Sequence, residues 1–285
     1  MQALSVDSAL LRSLRRRPWR GRVHSVFERV VNLEDEDGAF ITLVRRDLDN
    51  APNTLILDVE GFGSSGIARG DRVQARAGAI AIDRQHIRVD GAIGWDAALP
   101  AYPADAARLR ENLAIVRARI GRPPLGGAPW IQGESPLASG MTAMLELRAR
   151  RVCAALSRRD FGAACAHAQA MVGLGPGLTP SGDDFLVGLF AVLQLPGNPA
   201  HCNENFCMAV MAGVEWRTNA ISAAALKAAA RGQVRECLQT LLGELMTGTP
   251  EAVAAALAPV LAIGSTSGAD IVAGIVAGFE VTAGG

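Results

Sequence analysis

The strongest constraint on the fold is a loop rich in glycine and proline that leads directly into an apolar segment. The loop reads Gly173-Leu-Gly-Pro-Gly-Leu-Thr-Pro-Ser-Gly-Asp-Asp184, and the run Phe185-Leu-Val-Gly-Leu-Phe190 follows it. Glycine reaches backbone conformations that other residues avoid and proline fixes φ, so this pattern favours a tight, preformed loop. Hydroxyl and carboxylate residues before an apolar run are typical of a helix N-terminus. The sequence therefore predicts that Ser181 or Thr179 supplies the capping oxygen.

A second copy of this corner occurs near the C-terminus. Ser181-Gly-Asp-Asp184 and Ser267-Gly-Ala-Asp270 share the pattern Ser-Gly-x-Asp, and a glycine, Gly188 or Gly274, follows four residues later in each. Each copy predicts a helix with the aspartate in its first turn and a glycine one turn on, where another helix can approach closely. We expect the two helix ends to face each other and to form one site. The alternative is two ordinary N-caps, because serine and aspartate are common there.

A dense polar segment lies between the two copies. It reads Glu215-Trp-Arg-Thr-Asn-Ala-Ile-Ser222 and is flanked by apolar stretches. The planar guanidinium of Arg217 is suited to pairing with Asp184 or Asp270, or to binding a carboxylate or phosphate group of a ligand. A single structural salt bridge is the alternative. Because polar residues are so concentrated here, we expect Arg217 and Asn219 to belong to the site.

The hydrophobic pattern changes near residue 100. Before it, short segments rich in β-branched residues alternate with turn signals, and Val23–Leu33 with Ala39–Arg45 is typical of a hairpin. After it, apolar residues recur at helical spacing. The sequence therefore predicts an α+β chain. A small β-barrel or sandwich of about five to eight strands occupies residues 1–100, and a larger all-helical domain of about seven to nine helices occupies residues 101–285 and carries both Ser-Gly-x-Asp motifs.

Composition argues against several functions. The 28 basic and 28 acidic residues give a formal charge of zero, which argues against a nucleic-acid surface. Lys227 is the only lysine, so a P-loop is excluded. No uninterrupted apolar run approaches the length of about 18 residues that a membrane span needs. Five cysteines without a Cys-x-x-Cys motif favour a reducing compartment, so we expect a cytoplasmic protein.

His24 is the remaining candidate for acid–base chemistry. It lies in Val23-His-Ser-Val-Phe27, on a predicted strand. A histidine on that strand is a candidate catalytic group if it reaches the site of the helical domain. The alternative is a structural histidine whose ring is held by a backbone carbonyl group.

The glycine-rich motif, together with Thr266-Ser-Gly-Ala-Asp270 and Val23-His-Ser-Val-Phe27, resembles one bacterial family. That family was long catalogued as a domain of unknown function and includes the AllH-type subunit of oxamate carbamoyltransferase. The likeness extends from about Val23 to Gly278. It implies allantoin (purine) catabolism and reversible carbamoyl transfer between oxalurate plus phosphate and oxamate plus carbamoyl phosphate. It also implies FdrA-like and AllG-like partner subunits. The alternative function is a non-catalytic scaffold or regulatory subunit that binds a small anion.

Such chemistry assigns roles to the residues of the two corners. The expected binding groups for a small anion such as oxamate, carbamoyl phosphate or phosphate are Gly175, Gly177, Thr179, Ser181, Gly182, Arg217, Asn219, Ser267 and Gly268. Asp183, Asp184 and Asp270 are expected to orient the attacking amide, act as a base or bind Mg²⁺, the one cofactor that these carboxylates suggest. The Ser-x-Arg-Thr phosphate loop of the well-known transcarbamoylases does not occur in this sequence, so their mechanism is not transferred to it.

Overall fold

The computed structural model describes residues 1–76, 78–103, 106–120, 136–199 and 204–283. The chain divides into two compact units, Met1–Ala97 and Ala98–Gly285. Within the described ranges, no helix combines the length and the apolar character needed to cross a membrane.

The first unit is a curled, mostly antiparallel sheet, and its nine described strands lie in the order β8-β7-β6-β2-β3-β4-β5-β1-β9. Only the β4–β5 and β1–β9 pairs among them are parallel. The elements are β1 (Ala3–Asp7), α1 (Ser8–Arg16), β2 (Trp19–Val26), β3 (Val30–Asp35), β4 (Phe40–Arg45), β5 (Thr54–Leu57), β6 (Arg72–Arg76), β7 (Ala79–Ile82), β8 (Gln85–Arg88) and β9 (Ile93–Trp95).

Alternating burial gives this sheet its core. In β6 the side chains of Val73 and Ala75 are buried, whereas their neighbours in the strand are exposed, as the two-residue period of a strand requires. The predicted strand Val23–Leu33 proved to be two strands, β2 and β3. The backbone N–H of Phe27 donates to the carbonyl of Val30 (2.8 Å) and closes a turn that the run of apolar residues concealed.

The second unit is helical. Its described elements are α2 (Ala107–Ile120), α3 (Pro136–Ser157), α4 (Phe161–Gln169), α5 (Ser181–Leu193), α6 (Glu204–Val210), a 3₁₀ turn (Val214–Trp216), α7 (Ala220–Ala229), α8 (Glu236–Thr247), α9 (Pro250–Leu261) and α10 (Ser267–Ala283). The predicted fold class, a small β domain followed by a larger helical one, is confirmed. Helix α5 is buried along its whole length after Ser181, as an all-round apolar sequence predicts for a central helix.

Candidate functional site

Helices α5 and α10 pack against each other through their glycines. A Cβ atom on Gly188 would collide with the carbonyl of Ile271, and one on Gly274 would collide with the carbonyl of Phe185. The contacts are reciprocal: the spacing from Phe185 to Gly188 in α5 equals the spacing from Ile271 to Gly274 in α10, so each glycine faces the other helix at the same level. Farther along, Gly278 lies against the side chain of Val192. The two helices therefore run parallel, and both of their N-termini lie at the same end of the pair.

This packing brings the two Ser-Gly-x-Asp corners together. The hydroxyls of Thr179 and Ser267 lie 2.8 Å apart and form a hydrogen bond between the corners. Both hydroxyls lie close enough to the carboxyl of Asp184 to lower its pKa, and Asp270 is near enough for its charge to act on Asp184. Both aspartates are buried, with 6% and 3% of their surface exposed. We call Asp184 and Asp270 the carboxyl pair.

The electrostatics of the pair favour a proton on Asp184. Burial raises the pKa of this carboxyl to about 7, the hydroxyl of Ser267 opposes the rise, and the negative charge of Asp270 adds to it. The Oδ2 atom of Asp184 is buried and accepts no hydrogen bond from the residues that the structure describes. A carboxyl group in this state exchanges its proton near neutral pH and has one oxygen uncommitted to the protein.

The adjacent aspartate is held quite differently. Asp183 Oδ1 accepts a hydrogen bond from the N–H of Gly173 (2.7 Å). Its Oδ2 accepts from the hydroxyls of Thr218 (2.5 Å) and Ser222 (2.7 Å). Both carboxylate oxygens are therefore engaged, and Asp183 ties the start of the glycine loop to the segment that enters α7. The sequence did not reveal this function of Thr218 and Ser222, although both lie in the polar segment that it singled out.

Asn219 also anchors the glycine loop, whereas Arg217 lies at the surface. The side chain of Asn219 accepts from the N–H of Ser222 (3.1 Å), which caps α7, and donates to the carbonyl of Leu178 (2.7 Å). The guanidinium of Arg217 donates to the carbonyl of Ala212 (2.8 Å). The side chains that lower the pKa of Asp184 are those of Thr179 and Ser267, so the expected pairing of Arg217 with Asp184 is not seen.

The predicted side-chain cap of α5 is wrong. The N-cap residue is Pro180 and no side chain caps the helix, because the Thr179 hydroxyl is directed to Ser267 instead. Backbone carbonyl groups accept the hydrogen bonds of the first turn instead. The N–H of Gly182 donates to the carbonyl of Leu174 (2.9 Å), and those of Asp183 (2.9 Å) and Asp184 (3.1 Å) donate to the carbonyl of Pro180.

The glycines of the two corners serve close packing. A Cβ atom on Gly182 would collide with the carbonyl of Met171, and one on Gly268 with that of Val260. The N–H of Gly268 donates to the carbonyl of Ile263 (3.0 Å), so the amides of both glycines are engaged inside the protein. In the loop, Gly175 and Gly177 have φ values of 129° and 93°, which favour glycine. Gly177 is exposed with open space around it, and Ser181 is half-buried.

His24 belongs to the first unit and lies at a bulge in β2. The pairing with β3 shifts register between Val23 and Ser25, which allows neighbouring side chains to meet. The Nδ1 atom of His24 lies 3.1 Å from the hydroxyl of Ser25, and its ring packs edge-on against Phe40. The partner of the ring nitrogen is thus a serine hydroxyl, and a catalytic role of His24 stays a prediction.

Metal binding would have to rely on few ligands. Within the described ranges, no group of three or more histidine, cysteine, aspartate or glutamate side chains is arranged to hold a metal ion. The carboxyl pair with the hydroxyls of Thr179 and Ser267 offers oxygen atoms of the type that Mg²⁺ prefers. Mg²⁺ normally keeps several water ligands and requires ionised carboxylates, whereas burial favours the protonated form of Asp184.

Comparison with known families gives two matches that together span more than two thirds of the chain. The model described as oxamate carbamoyltransferase subunit AllH matches residues 171–279, which include the glycine loop and both corners. The model of the AllH family N-terminal domain matches residues 2–94, which form the sheet. No solved structure matches the chain. The chain therefore belongs to the AllH family, the family of an oxamate carbamoyltransferase subunit.

Proposed function

We propose that this subunit contributes the proton-transfer groups of carbamoyl transfer, and that the carboxyl pair performs this step. The observation that carries the proposal is the meeting of two equivalent helix ends around a buried carboxyl group with a pKa near neutrality. A buried carboxyl oxygen without a hydrogen bond destabilises the native state, and buried groups with perturbed pKa values are concentrated at functional sites.

The reaction needs one proton to move at the scissile nitrogen. In the forward direction, a phosphate oxygen forms a bond to the ureido carbonyl carbon of oxalurate, the bond from that carbon to nitrogen breaks, and the departing nitrogen takes a proton to give oxamate. In reverse, the oxamate amide loses a proton as it attacks carbamoyl phosphate and phosphate leaves. An acid with a pKa near 7 serves both directions at neutral pH. Asp184 is that group, because burial raises its pKa to about 7 and the charge of Asp270 adds to the rise.

Anion binding at this site depends on a balance of charges. Two ionised carboxylates would repel oxamate or carbamoyl phosphate, but a protonated Asp184 removes one of these charges. The parallel N-termini of α5 and α10 add the positive ends of two helix dipoles. The hydrogen bond between Thr179 and Ser267 leaves one hydroxyl hydrogen free, which we assign to the bound substrate as a donor, and we assign the loop around Gly175 and Gly177 to the wall of the site.

Other expected residues take supporting roles in this proposal. Asp183 and Asn219 position the loop through their hydrogen bonds, and Ser181, Gly182 and Gly268 shape the helix ends. Arg217 is the candidate for binding a carboxylate or phosphate group at the surface. His24 is a second candidate acid–base group. Mg²⁺ is not required for the step, because the proton on Asp184 neutralises the charge that the ion would otherwise balance.

The family description supports a subunit role, and the remaining context is proposed. We propose that the chain acts in the cytoplasm in allantoin catabolism, together with FdrA-like and AllG-like subunits. A second function has one observation in its favour: the first-turn amides of Gly182 and Gly268 donate inside the protein, so they are not available to stabilise the oxyanion of a reacting substrate. That function is a scaffold or regulatory subunit that binds a small anion without reacting with it.

The variant Asp184→Asn in the assembled complex separates the two functions. Asparagine keeps the size of the side chain and cannot exchange a proton near pH 7, so we expect turnover of oxalurate with phosphate to fall by about 10²-fold or more while the complex stays assembled. The matched control is Asp160→Asn, which changes an exposed aspartate at the N-cap of α4. Turnover of Asp184→Asn within about twofold of the control would support the scaffold and refute the catalytic proposal.

A further inference from the structure

The first unit carries a cluster of exposed arginines that lie close together in sequence, at the end of α1 and the start of β2. Arg29, Arg45 and Arg46 each form an ion pair with an aspartate or glutamate. The exposed arginines at the end of α1 and the start of β2 are Arg12, Arg15, Arg16, Arg17, Arg20 and Arg22. None of these six forms an ion pair with a carboxylate in the part of the chain that the structure describes. Positive charge is thus concentrated here without an internal counterion.

Three of these arginines surround a hollow on the surface of α1. The hollow has a volume of about 470 Å³ and is lined by Ala9, Arg12, Ser13, Arg16 and Arg17. Arg12 and Arg16 are one helical turn apart and project from the same face. Arg17 ends the helix in an extended conformation, with its N–H donating to the carbonyl of Ser13 (3.1 Å). The side chains of Arg12, Arg16 and Arg17 therefore border the same hollow.

The helix that carries them is fixed in the unit. Leu10 and Leu14 on the opposite face of α1 are buried in the core of the sheet. Asp7 caps the helix through a hydrogen bond from the N–H of Ala9 (2.8 Å). A ligand at the hollow would therefore meet a prearranged backbone and would have to order only the arginine side chains, which limits the entropy lost on binding.

The charge and size of the hollow define the chemistry of its ligand. Like charges at positions i and i+4 destabilise a helix, so an anion between Arg12 and Arg16 would relieve repulsion as well as gain attraction. The planar guanidinium group binds phosphate and carboxylate oxygens in pairs. The volume falls within the range of about 300–1,000 Å³ that is usual for small-molecule sites.

We propose that this hollow binds a small polyvalent oxyanion, a molecule with several phosphate or carboxylate oxygens. The arginine site is distinct in its residues from the carboxyl pair, which belongs to the other unit. It does not depend on the proposed function. An acidic polypeptide segment would use the same side chains, but it would need a long surface rather than the hollow.

Isothermal titration of the full chain with pyrophosphate, citrate and poly-glutamate tests the proposal. We expect pyrophosphate or citrate to bind at one site per chain. The double variant Arg12→Gln/Arg16→Gln should weaken this binding at least tenfold. The control is Arg84→Gln/Arg88→Gln, which removes the same charge from exposed arginines that do not line the hollow, and it should change the affinity less than twofold.

Three results would overturn the proposal. They are the absence of saturable binding of both small anions, an equal loss in the two double variants, and binding of poly-glutamate alone. Asp184→Asn should bind pyrophosphate as the unchanged protein does. If that variant abolished binding, the anion would be located at the carboxyl pair and not at the arginine site. Turnover plays no part in this experiment, so its failure leaves the proposed function to be tested separately.

Discussion

Replacing Asp184 with asparagine should change how the stability of the protein depends on pH. The carboxyl has a pKa of about 7 in the folded chain, against an ordinary value of 3.8. Between these values the folded state binds more protons than the unfolded state, so the free energy of unfolding falls as pH rises. The stabilisation by the proton is fully present below the ordinary value and is lost as pH passes through about 7.

The size of this effect follows from the pKa difference. At about 1.4 kcal/mol per pKa unit, the rise from 3.8 to about 7 corresponds to a loss of roughly 4 kcal/mol between pH 4 and pH 8. Asparagine does not titrate, so Asp184→Asn should lack this part of the pH dependence. We therefore expect the variant to gain stability relative to the unchanged protein as pH rises from 5 to 8.

Urea unfolding measures this difference directly. Far-ultraviolet circular dichroism follows the unfolding of the helical unit. At each pH the free energy of unfolding of the variant is compared with that of the unchanged protein, so the contributions of groups that titrate equally in both proteins cancel. Asp160→Asn in α4 provides the control and should not show a growing advantage above pH 6. A difference between Asp184→Asn and the unchanged protein that stays flat from pH 5 to pH 8, or that grows in the opposite direction, would show that Asp184 does not titrate near pH 7.

Three further predictions concern Asp183, Gly274 and His24. Asp183→Asn should lower the free energy of unfolding by about 3 kcal/mol in denaturant titrations, because it weakens three hydrogen bonds to a buried carboxylate; a loss below about 1 kcal/mol would contradict this role. Gly274→Ala should cost about 3 kcal/mol by forcing α5 and α10 apart, whereas Gly243→Ala, in open space on α8, should be neutral or stabilising; equal effects on thermal unfolding would contradict the close contact. His24→Gln should reduce turnover at least tenfold if His24 acts as an acid–base group, and unchanged turnover would remove it from the mechanism.

The meeting of the two corners could be predicted because it depends on short-range sequence patterns. A serine and an aspartate in a first turn mark where each helix begins, and a glycine one turn later marks where another backbone approaches. Gly188 and Gly274 do make those approaches, each against the other helix. The change from a two-residue to a helical hydrophobic period likewise identified the β and helical parts of the chain.

The details of the site depended on tertiary contacts that no local pattern encodes. Thr179 and Ser181 are both good capping residues, yet α5 has no side-chain cap because the Thr179 hydroxyl meets Ser267 from the other corner. Asp183 and Asp184 are adjacent and chemically identical, but three hydrogen bonds engage the first and burial raises the pKa of the second. Only the packing of helices distant in sequence distinguishes them.

The two elements at the start of the chain were missed for different reasons. Ser8–Arg16 has an amphipathic helical pattern, with Leu10 and Leu14 one turn apart on the buried face and arginines on the other face, so this helix could have been predicted from the sequence. The strand Ala3–Asp7 before it is short and is specified by its pairing with Thr54–Leu57, from a distant part of the chain. That strand has too little local signal to be predicted without its partner.

The rate of carbamoyl transfer as a function of pH, measured on the assembled complex with and without Asp184→Asn, shows whether Asp184 is the proton-transfer group. If Asp184 exchanges the proton at the scissile nitrogen, the unchanged complex should show an apparent pKa near 7 in its turnover of oxalurate with phosphate, and the variant should retain little activity and lose that transition. Full activity of the Asp184→Asn complex with the same pH profile would show that Asp184 does not transfer this proton.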